Sequence, residues 1–384
     1  MFRQMPVILA ILIAIIISLG SFIPKIIAVN LFAISLTIKS AIIFVLPFII
    51  FSLLYKASVS LAKDASTIIL IILSTVIISN FIATTLTQFI GSWIYNFDIS
   101  IEMPNDKDLL HAESFFNFPT LISNHIAMFS GIILGILSAK IAPYESLRFA
   151  KFLELLVKNL LKIITFLIPI FVAGFIVKLQ FDGIIMQIVK DYTSIFAIVG
   201  AAQFGYIMFL FFILNKFKFS KTIRSIRNML PAALSGFSTM SSAASMPLTI
   251  IGTEKNAKNK DLVHTVVPAT VNIHLIGDCI AIPCFAFAIL KNFDIAQPDI
   301  ITYFMFTIYF VIAKFSVAAI PGGGIIVMLP ILEQYLGFNS DMLSLITALY
   351  ILFDPIITSA NVLGNGAFAK IIDIITPKTT EKEE

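Results

Sequence analysis

Ser238-Thr239-Met240-Ser241-Ser242-Ala243-Ala244-Ser245-Met246-Pro247 lies inside an apolar stretch, 229–252, whose two flanks carry the same sign of charge. Before it, residues 216–227 hold Lys216, Lys218, Lys221, Arg224 and Arg227. After it, residues 254–260 hold Lys255, Lys258 and Lys260. Basic connections between membrane spans face the cytoplasm. A single span would place its flanks on opposite sides, so this stretch must enter and return on one side. Small hydroxylated residues followed by a proline make a poor centre for a lipid-facing helix. They suit the tip of a re-entrant hairpin buried in protein, where non-helical backbone is tolerated.

The rest of the chain supports a membrane reading. Of 384 residues, 59% are hydrophobic and 12% charged, about half the charge of a soluble domain; the mean hydropathy is +1.00. A cytosolic globular enzyme, a disordered chain and a nucleic-acid binder are excluded, the last because a net charge of +4 is small and spread over connections. Cys279 and Cys284 fall in one apolar stretch and form neither a disulfide framework nor a zinc spacing. At ~20 residues per crossing the length allows about eight spans. Apolar stretches run over 7–23, 31–55, 66–96, 119–139, 153–179, 192–215, 229–252, 262–290, 299–337 and 341–373. They are continuously apolar rather than alternating, which argues against membrane strands. The first follows Arg3 and leads on to further spans without a small-residue cleavage site, so it reads as an uncleaved first helix. Residues 97–118 carry Asp98, Glu102, Asp106, Asp108 and Glu113 against Lys107, which predicts an outer loop. Residues 140–162, with Lys140, Arg148, Lys151, Lys158 and Lys162, predict an inner one.

A second interruption lies in 299–337, at Ala318-Ala319-Ile320-Pro321-Gly322-Gly323-Gly324. Proline followed by three glycines ends one half-helix and frees the backbone before the next. The run is too long for one span, which predicts a second hairpin entering from the outside. Two interrupted segments in corresponding places point to the binding site of a secondary transporter. Half-helix ends near the midplane suit a small ionic solute. Kinked but ordinary spans are the alternative, and they leave the charge pattern unexplained.

The last apolar segment places Asp354, Thr358, Asn361 and Asn365 at offsets of 4, 3 and 4, one helical face. An ionisable residue at that depth is costly and points to function. Asp354 suits an ammonium group or a cation, and the asparagines can supply carbonyl oxygens; a polar stripe joining helices is the alternative. In 262–290, His274 and Asp278 stand four apart, as a proton-carrying or ion-coordinating pair or as a packed histidine beside an acid. Lys314, before the second tip, either snorkels or pairs with an intramembrane aspartate.

In order, a serine-rich hairpin, a polar helix, a Pro-Gly-Gly-Gly hairpin and a last helix ending Asn361-Val362-Leu363-Gly364-Asn365 resemble the dicarboxylate/amino acid:cation symporter family. The likeness runs from the first helix to the C-terminus and is strongest from about Leu230 to Lys370. It implies an all-α polytopic membrane protein of about eight transmembrane helices and two re-entrant hairpins, an elevator-type transporter with inverted repeats and a homotrimer. By resemblance, residues 1–62 and 97–190 would form scaffold helices and the outer loop, and 63–96 and 191–384 a mobile transport part. Ser241 and Ser242 would contact a substrate carboxylate, and backbone around Gly322, Gly323 and Gly324 would close over it as the outer gate. Asp354 would hold the amino group, with Thr358 and Asn361 completing the pocket. Thr270, His274, Asn361 and Asn365 would lie near a cation site, with the His274/Asp278 pair a candidate for proton coupling.

This chain departs from the family at three of those places. Where the family's cation-binding helix reads Asn-Met-Asp-Gly-Thr, it reads His274-Leu275-Ile276-Gly277-Asp278, so the buried acid has become Ile276. A second carboxylate has become Asn365. The arginine of acidic-substrate members, one turn before Asn361, has become Ile357. The only arginines are Arg3, Arg148, Arg224 and Arg227, none in the expected pocket. Without a guanidinium a second substrate carboxylate has no evident partner, and Asp354 would repel it. The expectation is a cation symporter, driven by sodium or protons, whose pocket favours a neutral zwitterionic amino acid over a dicarboxylate, with no organic cofactor and no resident metal beyond a sodium ion. An uncoupled facilitator or exchanger is the second reading. An intramembrane enzyme built on Asp278 and Asp354 lacks a His-Glu-x-x-His helix, paired Gly-Asp signatures and a nucleophile with its base. A receptor or structural membrane protein is the remaining alternative. Partners are the solute, lipid and further copies of the chain, and the setting is a bacterial cytoplasmic membrane. Ser74, Thr75, Ser79 and Asn80 are candidates to compensate the altered cation sites.

Overall fold

The computed structural model describes residues 11–12, 14–16, 18–63, 67–96, 110–119, 121–122, 124–183, 185–317 and 323–376, and among them every regular element is helical. The helices are α1 (Lys25–Lys63), α2 (Thr67–Tyr95), α3 (Asn124–Ile141), α4 (Pro143–Phe181), α5 (Ile185–Leu214), α6 (Phe219–Thr239), α7 (Ser242–Glu254), α8 (Lys260–Thr270), α9 (Ile276–Asn292), α10 (Ile300–Ala313), α11 (Gly323–Leu336) and α12 (Ser340–Ile375). Helices satisfy their own backbone, the requirement that lipid imposes. The stretches 25–56, 68–95, 192–214 and 341–375 are long and apolar enough to cross a membrane.

Helices α1, α3 and α4 pack together. Ser35 Oγ on α1 donates to the Ile170 carbonyl on α4, and Tyr55 OH meets Ser138 Oγ on α3 at 2.8 Å. Helices α2, α5, α11 and α12 pack on α9, whose residues 276–290 are all buried; α6, α7 and α8 pack on α12, and α10 on α2 and α11. A helix apolar on every face belongs inside a bundle. Against α9 lie α2, through Phe287 on the bare face of Gly91, and α5 and α12, whose Phe196 and Phe353 stack on each other and edge onto Phe285. Outward faces keep large apolar side chains exposed, such as Ile78, Phe89 and Trp93 on α2 and Met208 and Phe209 on α5, as lipid contact requires.

The re-entrant first hairpin is α6 and α7, packed on each other and joined at Met240, whose φ of 48° turns the chain. The second is α10, a 3-10 turn over Lys314–Ser316, and α11. Its tip, 318–322, lies outside the described residues, as do the acidic residues 98–108, the part of the first segment before residue 11, and Arg3.

Three expectations need correction. The basic residues of 140–162 are not in a loop: α4 begins at Pro143, and only Ala142 separates it from α3. Of 216–227, only the short connection up to Lys218 is a turn, and Lys221, Arg224 and Arg227 ride on α6. Charged side chains at the end of a long helix reach water without breaking it. Lastly, 262–290 is not one helix. It breaks at 271–275, so His274 and Asp278 do not share a helical face.

Candidate functional site

The break between α8 and α9 organises the site. Pro268 sits near the end of α8, and past Thr270 the chain makes turns closed by the Ile273 and His274 N–H groups on the Thr270 carbonyl. Such a break leaves backbone groups without helical partners. Three buried amides from three helices take them up. Asn80 on α2 donates to the Ile273 carbonyl at 2.7 Å and accepts from the Leu275 N–H at 3.3 Å. Gln203 on α5 donates to the Gly277 carbonyl at 2.8 Å. Asn361 Oδ1 on α12 accepts from the N–H groups of Gly277 and Asp278 at 2.8 and 3.3 Å. Close approach needs a glycine here: a Cβ on Gly277 would lie 2.3 Å from the Ile357 carbonyl oxygen.

Asp278 stands in the first turn of α9, where the helix dipole favours an anion. Its Oδ2 accepts from Lys314 Nζ at 2.9 Å; its Oδ1 accepts from Tyr350 OH at 3.0 Å and Asn361 Nδ2 at 3.2 Å. Lys314 is 0% and Asp278 1% exposed, and the Lys314 ammonium also lies 4.6 Å from the centre of the Phe310 ring. The start of α11 closes on the same carboxylate: a Cβ on Gly324 would come within 2.5 Å of Asp278 Oδ2 and 2.3 Å of Tyr350 OH.

The tip of the first hairpin is held by its own hydroxyls. Ser241 caps α7 by accepting the Ala244 N–H, Ser245 Oγ donates to Ser235 Oγ at 3.0 Å, and Thr239 Oγ1 donates to the Ser235 carbonyl. Between this tip, the α8–α9 break, α11 and α12 is a cavity of about 30 Å³. Met240, Ser242, Asn272, Asp278, Gly324 and Asp354 line it, with Tyr350, Thr358 and Asn361 on the α12 side. Thr358 Oγ1 donates to Asp354 Oδ1 at 2.9 Å. A space of that size holds a water molecule but no amino acid, so admission of a solute needs a wall to move.

The structure thus brings Ser242, Gly324, Asp278, Asp354, Thr358 and Asn361 to one cavity. Ser241 serves as a cap, Gly323 is buried at the start of α11, and Gly322 lies outside the described residues. Thr270 and Asn365 are not on the cavity; Thr270 Oγ1 meets Asn365 Oδ1 at 2.6 Å. His274 turns away from Asp278 to Ser79, at 2.9 Å from its Nε2, and packs on the Phe368 ring. The expected His274/Asp278 pair does not form, because the acid belongs to α9 and the imidazole to the break before it. Ser74 is exposed, whereas Ser79 and Asn80 are buried against the break. Gln203 and Tyr350 escaped the sequence reading. Each is a polar side chain in an apolar segment, the signal that singled out Asp354; Gln203 lies in 192–215, where that signal was not followed, and Tyr350 lies one turn before Asp354 in the last segment.

Hard cations are held by oxygen atoms. Here the oxygens of Asn361 and Asn365 already accept, and Asp278 has three donors including an ammonium. No arginine among the described residues reaches the cavity; Arg148 rides on α4, Arg224 and Arg227 on α6.

The family model described as the sodium:dicarboxylate symporter family matches residues 5–375. Among curated proteins, the chain is 28% identical over 207 residues to excitatory amino acid transporter 1 of Mus musculus, covering 53% of this chain and 37% of the relative. It is 27% identical over 260 residues to excitatory amino acid transporter 5 of Homo sapiens, covering 65% of this chain and 44% of the relative. The chain thus spans less than half the length of these relatives.

Proposed function

The chain belongs to the sodium:dicarboxylate symporter family, and from that premise we propose that it is a secondary transporter that moves a small amino acid across a membrane together with a cation. The cavity carries the reading. It lies between two interrupted segments, the arrangement that marks transporter binding sites, and its lining holds the carboxylate of Asp354. Asp354 receives the solute's ammonium group. Thr358 and Asn361 orient it, and Ser242 with the hairpin backbone receives its carboxylate. Asp278 is already matched by Lys314, so a zwitterion with an apolar side chain fits the site: its ammonium faces Asp354, its carboxylate faces the hairpin tip, and its side chain brings no further charge. A dicarboxylate would bring a second negative charge toward Asp354 with no guanidinium to receive it.

Access requires the α11 arm to leave Asp278, which makes the second hairpin the outer gate. The packing of α2 against α9 and α10 supports grouping 63–96 with 191–384 as the moving part, and that of α1, α3 and α4 supports a scaffold. A homotrimer working as an elevator in a bacterial cytoplasmic membrane completes the proposal. A second reading, an exchanger without ion coupling, is favoured by one observation: Asp278 is filled by Lys314.

The test is uptake into proteoliposomes of labelled neutral amino acids, acidic amino acids and dicarboxylates, under an inward sodium gradient, an inward proton gradient or neither. Uptake of a neutral amino acid, reduced at least ~100-fold by Asp354→Asn as the loss of a buried charge-assisted contact implies, is the expected result. Sodium-driven uptake of an acidic solute, indifferent to Asp354, overturns the substrate assignment.

A further inference from the structure

We propose that the Lys314 ammonium is a resident cation of the transport site, occupying the place at Asp278 that a sodium ion would otherwise take, and that solute binding is therefore independent of sodium. The inference rests on the transporter reading above.

Four observations carry it. Lys314 and Asp278 are both buried, and their Nζ···Oδ2 distance is 2.9 Å. The pair adjoins the cavity rather than lying remote from it: Asp278 is in the lining, and its other oxygen accepts from Tyr350 and Asn361, which line it too. Lys314 belongs to the 3-10 turn that leads into the second tip, and Gly324, on the far side of that tip, packs on the same carboxylate. The Asp278 carboxylate thus ties both arms of the second hairpin to the start of α9, one through the Lys314 ammonium and the other through the close approach of Gly324. Finally, the oxygen donors around the break are committed. Asn361 Oδ1 holds two N–H groups, and Thr270 and Asn365 hold each other.

The charge arithmetic excludes joint occupancy. Two unit positive charges about 4 Å apart at a protein-like dielectric repel enough to weaken ion binding roughly 1,000-fold. Sodium at Asp278 and Lys314 in its place are therefore alternatives. Removing the ammonium while keeping the carboxylate leaves a buried anion with two neutral donors beside it, a setting that attracts a small hard cation.

The experiment uses the purified full-length protein, without solute, in sodium, potassium or choline chloride at equal ionic strength. Unfolding is followed by a thiol-reactive dye on Cys279 and Cys284, both free and buried. The wild-type midpoint should be the same in all three salts. Lys314→Ala should gain a sodium-specific upward shift of a few degrees, and Lys314→Ala with Asp278→Asn should lose it. Lys314→Met serves if the alanine variant does not fold. In the uptake assay, sodium should leave the wild type unchanged and raise uptake by Lys314→Ala at least ~10-fold. A sodium-specific shift in the wild type overturns the proposal. So does the absence of any sodium gain in both Lys314 variants, which would leave the pair a structural link. Failure of the wild type to carry any solute, with the expected salt pattern intact, counts against the transporter reading and not against the resident cation.

Discussion

Breaking the Lys314–Asp278 pair from its two ends should give unequal losses of stability. In Asp278→Asn the ammonium stays buried with an amide oxygen and the Phe310 ring as its partners. Removing one side of a buried ion pair costs about 3–5 kcal/mol, and a desolvated ring contact returns about 2 kcal/mol at most. In Lys314→Met the carboxylate keeps Tyr350 OH and Asn361 Nδ2, and it stays at the positive end of α9. Hydrogen bonds to a charged acceptor contribute about 1.5–3 kcal/mol each, so this variant should lose only about 2 kcal/mol, against ~3 kcal/mol for Asp278→Asn. The double variant buries no net charge. It should lose about 2 kcal/mol, ~3 kcal/mol less than the sum of the singles, a coupling in the range measured for close charge pairs. Chemical unfolding in detergent, read by labelling of Cys279 and Cys284, supplies the free energies. Additive losses within ~0.5 kcal/mol, or a larger loss from Lys314→Met than from Asp278→Asn, would refute the assignment of an ionised, mutually dependent pair.

Four further outcomes are expected. Asn80→Ala leaves the Ile273 carbonyl and the Leu275 N–H unpaired in a buried break, which should cost about 2–6 kcal/mol at ~1–3 kcal/mol per orphaned group; unfolding midpoints against Ser74→Ala, at an exposed site, check it. Gly277→Ala, whose Cβ meets backbone at 2.3 Å, should lose at least ~1–3 kcal/mol by overpacking. Gly205→Ala, with nothing within 4 Å in α5, should gain about 0.5–1 kcal/mol from helix propensity; melts of the two side by side decide. Asp299 caps α10, and the Thr302 N–H holds its carboxyl below the ordinary range. A depressed folded pKa gives stability that is present above the unfolded value and lost as pH falls through the folded one. Asp299→Asn should therefore flatten the acid side of the stability profile below about pH 4 and leave neutral pH little changed, as unfolding at stepped pH will show.

Much of the fold is legible in the chain because lipid imposes a simple rule. Continuous apolar runs become helices, and charge marks their ends. Two runs broke that rule, 229–252 by its matching basic flanks and 299–337 by its length and glycines, and both are hairpins flanking the cavity. The same rule misplaced the basic residues of 140–162, because a charge ends an apolar run without ending a helix. It also missed the break at 271–275. That break contains no glycine, and its backbone is held open by Asn80, Gln203 and Asn361, which come from three other helices.

The amino-acid sequence by itself determined the membrane class, the helical architecture, the two interrupted segments and the polar face of α12, all consequences of local hydropathy, charge and spacing. It also put Asp354, Thr358 and Asn361 on one face, since helical periodicity is local. Only the tertiary structure decided the partners. Whether Asp278 faced His274 or Lys314 turned on a break five residues long and on the placement of a hairpin 36 positions away. Ion pairing is set by where side chains converge, and neither composition nor spacing encodes that convergence. For the same reason the committed state of Asp278 appeared only when α9, α10, α11 and α12 were packed around it.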